Sequence, residues 1–311
     1  MWKKIDSDLF LKIWKGEYKN IAGYEEYYTV DILNEDVVSF TTCEVTGYIS
    51  ASNSDLPSLY LNYCEIIGIH IENCKTDFIT IDNRSKIDHI IIHNKSSIGD
   101  VTITSSKIRF IKIDTGSQTG DITINSTTIA EFIEIDNESE AKSIYLSHTS
   151  INKNISIDKK STIGNITIDQ GSTIKDLMIS NSVSGFIEVN NGSSTRNIDI
   201  GENSGTKNII INNDSSVKFL MVRLSFSIKM ILDNKSYCEL IYIDNYSTTD
   251  SISLENQSRV KSINIENNTE TGYISIKSES YIEFIAINMS RPEIGLHLGG
   301  IILVLVYTSF C

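Results

Sequence analysis

From Ile69 to Ile287 the chain repeats one short pattern: an apolar residue, a polar one, then a second apolar one. The pairs run Ile69/Ile71, Ile79/Ile81, Ile90/Ile92, Val101/Ile103 and Ile111/Ile113, and onward to Ile274/Ile276 and Ile285/Ile287. Twenty-one follow one another at steps of 11 residues, with a few steps of 10. Such alternation predicts a short strand with one buried face, and β-branched Ile suits a pleated surface. Six residues after the first apolar position comes Ser or Thr, as at Ser85, Ser96, Ser117, Ser139 and Ser161. A further apolar residue follows one or two positions later, as at Ile87, Ile98, Ile108 and Ile129. Asn often precedes the Ser, as at Asn83, Asn94 and Asn137. The polar N-x-S stretch predicts a turn, because Asn tolerates left-handed backbone and Ser bonds nearby amides. No such unit can bury its apolar face alone, so the units must stack.

Eleven residues are short for a complete coil, whereas two units make one of about 22 residues. The residue between the paired apolar positions supports this doubling. In alternate units it reads Thr80, Thr102, Thr123, Tyr145 and Thr167; in the others it reads Ile91, Lys112, Glu134, Ser156 and Met178. One face carries a Thr row and the other is mixed. The expected fold is all-β: a single parallel β-helix, or β-solenoid, whose coils consist of two 11-residue halves. Over roughly residues 59–290 this architecture resembles the right-handed parallel β-helix family, which includes pectate-lyase-like enzymes, adhesin stalks and phage spikes. The resemblance implies the handedness, which the period does not supply, and polysaccharide as the substrate of any enzyme built this way.

The ends differ from the repeat. Ser7 and Gly16 suit the N- and C-caps of a short helix whose apolar face is Leu9, Phe10, Ile13 and Trp14. Residues 1–58 are therefore expected to form a cap helix and entry strands, ahead of the solenoid at 59–290. Within them, Gly23, Tyr24, Glu25, Tyr28, Val30, Val38 and Ser39 resemble a short GYE module found beside HNH-type homing nucleases. The basic residues of that module are replaced here by Asp31, Glu35 and Asp36, which would repel phosphate. Residues 291–311 are apolar and carry no formal charge from Ile294 to Cys311. They are expected to close the solenoid as a buried strand, with a membrane anchor and a reading-frame artefact as the alternatives.

A formal net charge of -13 and a pI near 4.9 argue against nucleic acid and anionic membranes as partners. Five cysteines, without a C-x-x-C pair, indicate neither a zinc site nor a disulfide framework and are read as reduced structural residues. The N-terminus lacks an uninterrupted apolar stretch after its lysines, so a cytoplasmic location is expected, with export by another route left open.

Candidate chemistry is sparse. Asp114, Asp136 and Asp158 recur at 22-residue spacing and should stack. Their mutual repulsion could be relieved by Ca²⁺ or by interleaved lysines such as Lys112 and Lys159; no other cofactor is indicated. Arg223 breaks the repeat, falling between Gly201 and Asp244 in the stacking order, and its unit is unusually apolar, with Met221, Leu224 and Phe226. Arg223, Met221 and Phe226 are therefore the candidate binding residues, with packing against another segment or subunit as the alternative. The five histidines read as dispersed surface residues. Uniform steps leave no inserted loops to wall a cleft. The expected function is a non-enzymatic, rigid binding or structural scaffold for a protein, glycan or second copy of the chain. A polysaccharide lyase or glycoside hydrolase, and a filament-forming scaffold, are the alternatives.

Overall fold

A computed structural model describes residues 3–15, 29–34, 37–129, 131–201, 203–244, 246–266, 269–288, 295–298 and 306–307. The chain divides into two compact units, Met1–Asn152 and Lys153–Cys311. Both are parallel β-solenoids in which alternate 11-residue repeats enter alternate sheets.

In the first unit one sheet stacks Lys3–Asp6, Cys43–Ser52, Glu65–Glu72, Lys86–His93 and Lys107–Ile113 in that order. The other begins with an antiparallel pair, Thr29–Asn34 and Val37–Thr41, and continues in parallel through Ser58–Asn62, Lys75–Asp82, Ser97–Thr104, Gln118–Asn125 and Glu140–Ser147. The Thr row is present in register, with Thr80 beside Thr102, Thr102 beside Thr123 and Thr123 beside Tyr145. In the second unit one sheet runs from Thr173–Ser180 through Ser194–Gly201, Ser216–Arg223, Tyr237–Asp244 and Arg259–Glu266 to Tyr281–Asn288. Its companion runs from Thr162–Asp169 through Val183–Val189, Gly205–Ile211, Phe226–Leu232 and Thr248–Leu254 to Glu270–Ile276. Two short strands of the apolar C-terminal segment continue these sheets: Gly295–Leu298 pairs with Glu270–Ile276, and Val306–Tyr307 with Tyr281–Asn288. Among the described residues, no helix is long and apolar enough to cross a membrane.

Three inward positions per repeat build the core. In Lys86–His93 they are Ile87, Ile90 and Ile92, each at most 2% exposed. Full burial of such a side chain is worth about 1.5–3 kcal/mol before entropy is subtracted. The turns carry the predicted left-handed backbone, with Asn83 at φ 52°, Asn94 at 54° and Asn213 at 53°. Their amides also link coils: Asn83 Nδ2 donates to Asn62 Oδ1 at 2.8 Å, and Asn213 Nδ2 to Asn191 Oδ1 at 3.0 Å.

The serine after each turn lies inside rather than on the exposed turn. Ser85, Ser117, Ser172 and Ser236 are fully buried. Each hydroxyl donates to the carbonyl three residues earlier, at 2.7 Å for Ser85 and Ser117 and 2.6 Å for Ser172 and Ser236. The same oxygens accept backbone N–H groups from the preceding coil: Cys64 N–H to Ser85 at 3.0 Å, and Ser96 N–H to Ser117 at 3.2 Å. The hydroxyl thus satisfies a buried donor and a buried acceptor at a corner where neither sheet ladder reaches. Cys64 and Cys74 occupy the same ladder position as the serines that bond their N–H groups, which explains their burial.

The N-terminal helix spans Ser7–Trp14, with Phe10, Ile13 and Trp14 buried and Leu9 half-buried; the expected cap at Gly16 lies outside the described residues. Phe10 stacks on Phe40 with ring centroids 3.9 Å apart, and Trp14 Nε1 donates to Pro57 O at 2.8 Å. Strand Lys3–Asp6 pairs with Cys43–Ser52, which the helix pattern alone did not announce. In the GYE-like stretch, Gly23, Tyr24, Glu25 and Tyr28 lie outside the described residues. Val38 and Ser39 sit in the first parallel strand of the second sheet.

Candidate functional site

Arg223 closes strand Ser216–Arg223, and Phe226 opens the next strand in the companion sheet, so they flank one corner of the second unit. The sequence register holds: Gly201 and Asp244 are the ladder neighbours of Arg223. The guanidinium, however, pairs with Asp199, its Nε donating to Oδ1 at 3.3 Å and its Nη2 to Oδ2. The pair passes beside Gly201, where an added Cβ would stand 3.7 Å from Asp199 Oδ1, an ordinary contact distance. Met221 stands half-buried on the outward face of the first sheet, between Asp199 and Tyr242. The Tyr242 hydroxyl donates to Asp244 at 2.9 Å. Burial, then Asp244 and Glu266, makes the Tyr242 hydroxyl a much weaker acid, its pKa well above the usual phenol range.

The corner itself carries the exposed apolar surface. Leu224 is 47% exposed, Phe226 50% and Tyr246 71%. Leu224 and Tyr246 occupy equivalent turn positions on successive coils, since Ser225 N–H donates to Ser247 Oγ. Asn203, one coil earlier, bonds Leu224 O through its N–H at 2.8 Å. Phe226 follows Val183 and Gly205 in the adjoining column. Its ring lies over Gly205, where a Cβ would come within 2.1 Å of Cζ. Val183, beyond it, is 47% exposed. Val183, Phe226, Leu224 and Tyr246 therefore form one apolar corner bordered by the Arg223–Asp199 ion pair. Sequence reading found Phe226 and Arg223 but not Val183 or Tyr246, which join only through the stacking register.

Leu224 also breaks a local rule. It holds φ 50°, and Tyr246 holds φ 59° at the variable position of its N-x-S turn, a conformation unfavourable for branched and bulky residues and better tolerated by Asn. Leu224→Asn is expected to raise stability by about 0.5–1 kcal/mol, measured as an increased urea midpoint.

The aspartate column has a structural use. Asp114 and Asp136 follow the paired strands Lys107–Ile113 and Ile133–Ile135. Asp114 accepts the Thr115 N–H at 2.7 Å and the Asn137 side-chain amide, and Lys112 Nζ lies 3.2 Å away while also reaching Glu134 at 2.7 Å. Burial alone would raise the pKa of Asp114, but the Asn137 amide and Lys112 outweigh it and hold the carboxyl below its usual range. Asp136 is buried, at 5% exposed. Asp158, in the second unit, accepts the Lys159 N–H at 2.6 Å. The interleaved lysine that the sequence offered as an alternative to Ca²⁺ is thus in place at Lys112. Among the described residues, no group of three or more His, Cys, Asp or Glu side chains is arranged to hold a metal ion.

The first unit carries an open groove of about 900 Å³, lined by Ile66, Ile67, Ile87 and Ile108 with Glu65, Lys86, Asp88 and Arg109. Lys86 reaches Glu65 at 3.5 Å and Arg109 reaches Asp88 at 2.8 Å. Asp88 also touches His89, which is 5% exposed and not the surface residue expected from sequence. No protein-family model, curated protein or solved structure matches this chain, so its chemistry is read from its own residues.

Proposed function

We propose that the protein is a non-enzymatic scaffold that associates with a second copy of itself through the apolar corner at Leu224, Phe226 and Tyr246. The carrying observation is that three large apolar side chains are exposed together, two of them on backbone that Asn would hold at lower cost. A residue that costs stability and faces solvent is accounted for by what it contacts in an assembly. A second copy fits because every outward column of a solenoid recurs at the inter-strand spacing of about 4.8 Å. Two such corners can interdigitate about a two-fold axis, each presenting the same patch to the other. Among the described residues, the strands from Ser58–Asn62 to Tyr281–Asn288 follow one another through short turns, which supports a presenting role over a catalytic cleft.

Sedimentation equilibrium tests this reading. The wild-type chain should self-associate, and more strongly as salt is raised, because screening relieves the repulsion between two chains of formal net charge -13. The double variant Leu224→Asn/Tyr246→Asn should remain monomeric while unfolding at a higher urea concentration. A monomeric wild type, or association unchanged in the variant, would refute the proposal. Because the variant gains stability, loss of association cannot be attributed to unfolding.

A further inference from the structure

On the outward side of the first unit, the ring nitrogens Nε2 of His70 and His89 lie 2.6 Å apart. Their strands, Glu65–Glu72 and Lys86–His93, are neighbours, and Gly68 faces His89 across the ladder. A Cβ at Gly68 would stand 2.5 Å from His89 Nε2, so the absent side chain makes room for the ring to lean toward His70. The ring is fixed on several sides. Phe110 stacks on it with centroids 5.0 Å apart and planes 6° from parallel, and Tyr48 lies 5.5 Å from both imidazoles. His89 Nδ1 is 2.9 Å from Asp88 Oδ2, an oxygen that Arg109 Nη2 also holds at 2.8 Å. A carboxylate only accepts, so Nδ1 carries the hydrogen and Nε2 of the neutral ring presents a lone pair. A carboxylate behind the imidazole and a lone pair in front is the arrangement that orients metal-ligating histidines.

We propose that His70 Nε2 and His89 Nε2 form a two-imidazole site for a divalent first-row transition cation, Cu²⁺ in preference to Zn²⁺, with solvent completing the coordination. In the metal-free pair His70 donates its Nε2 hydrogen to His89. On binding, that hydrogen transfers through solvent to His70 Nδ1, so both rings stay neutral and both Nε2 lone pairs face the ion. Metal–nitrogen bonds of about 2.0–2.1 Å place two nitrogens about 2.9 Å apart at a right angle and about 3.3 Å apart at a tetrahedral angle. Starting from 2.6 Å, the right-angled arrangement needs the smaller movement. Tetragonal Cu²⁺ provides it and stands above Zn²⁺ in intrinsic affinity for nitrogen ligands.

The test titrates the full chain with Cu²⁺ alone and, in parallel, with Zn²⁺ alone, by calorimetry, and records the electron paramagnetic resonance spectrum of the Cu²⁺ form. One equivalent of Cu²⁺ should bind with hyperfine structure from two imidazole nitrogens, more tightly than Zn²⁺. His70→Ala, at a half-buried position that leaves the core intact, should abolish the two-nitrogen signal. Asp88→Asn should weaken binding about 10–100-fold by releasing the His89 ring, while His148→Ala should leave it unchanged. Absence of stoichiometric Cu²⁺ binding, a two-nitrogen signal that survives His70→Ala, or tighter binding of Zn²⁺ would each overturn the assignment.

Discussion

Trp14→Ala is expected to destabilise the first unit by about 3–5 kcal/mol, the range for deleting a large buried aromatic side chain. Trp14 is fully buried, meets Phe10 edge-on at 6.5 Å and donates through Nε1 to Pro57 O at 2.8 Å. Truncation therefore removes packing and leaves the Pro57 carbonyl without that donor. The effect extends beyond the cavity. The helix and the strand Lys3–Asp6 lie at the start of the sheet formed with Cys43–Ser52, and a solenoid end without cover offers unpaired strand edges to other chains. Urea unfolding should show the lost stability, and light scattering should show new aggregation at concentrations where the wild type stays clear. A loss below about 0.5 kcal/mol, the level of an ordinary surface substitution, would show that the helix does not cap the stack.

Ser117→Ala should cost about 1–3 kcal/mol, although it removes a single oxygen atom. Ser117 Oγ donates to Asp114 O at 2.7 Å and accepts the Ser96 N–H at 3.2 Å, and the residue is fully buried. Alanine leaves a backbone donor deprived of its acceptor away from water. Ser117→Thr should be tolerated, because the chain places Thr at the corresponding corner position of the companion column: Thr127 Oγ1 and Thr149 Oγ1 are buried there and donate to the carbonyls two residues earlier at 2.9 Å. The pair of variants separates the hydroxyl from side-chain volume. Equal urea midpoints for Ala and Thr would contradict a hydrogen-bonding role. Hydrogen exchange at Ser96 N–H should also accelerate in the alanine variant alone.

The sheets were legible because Ile pairs at steps of 11 have one physical solution, strands stacked in two alternating columns. The Thr row at Thr80, Thr102 and Thr123 distinguishes those columns in the sequence itself. The inward serines were harder to read. A polar residue after Asn signals an exposed turn by composition, and only the corner geometry turns Ser117 into the core. Arg223 stands between Gly201 and Asp244 as the spacing predicts, yet its ion pair is with Asp199, the ladder neighbour of Met221, a diagonal reach that spacing does not encode. His70 and His89 are 19 residues apart. That separation matches no multiple of the repeat, so they do not share a column. They meet diagonally, through the gap left at Gly68, and no periodicity argument could have joined them.

The apolar corner also explains why sequence and stability disagree at Leu224. The equivalent turn position one coil earlier is Asn203, at φ 60°, which suits that backbone. Leu224 departs from this, Tyr246 holds φ 59° one coil later, and the two expose their side chains on successive coils. The most direct measurement is site-specific cross-linking of the wild-type surface. Thr248, exposed and beside Phe226 in the strand register, would be replaced by Cys, and Thr102 in the first unit likewise as a control. A short bifunctional thiol reagent should link Thr248→Cys chains into covalent dimers in high yield and leave Thr102→Cys chains monomeric. Equal yields from the two positions, or none from Thr248→Cys, would contradict assembly through this corner.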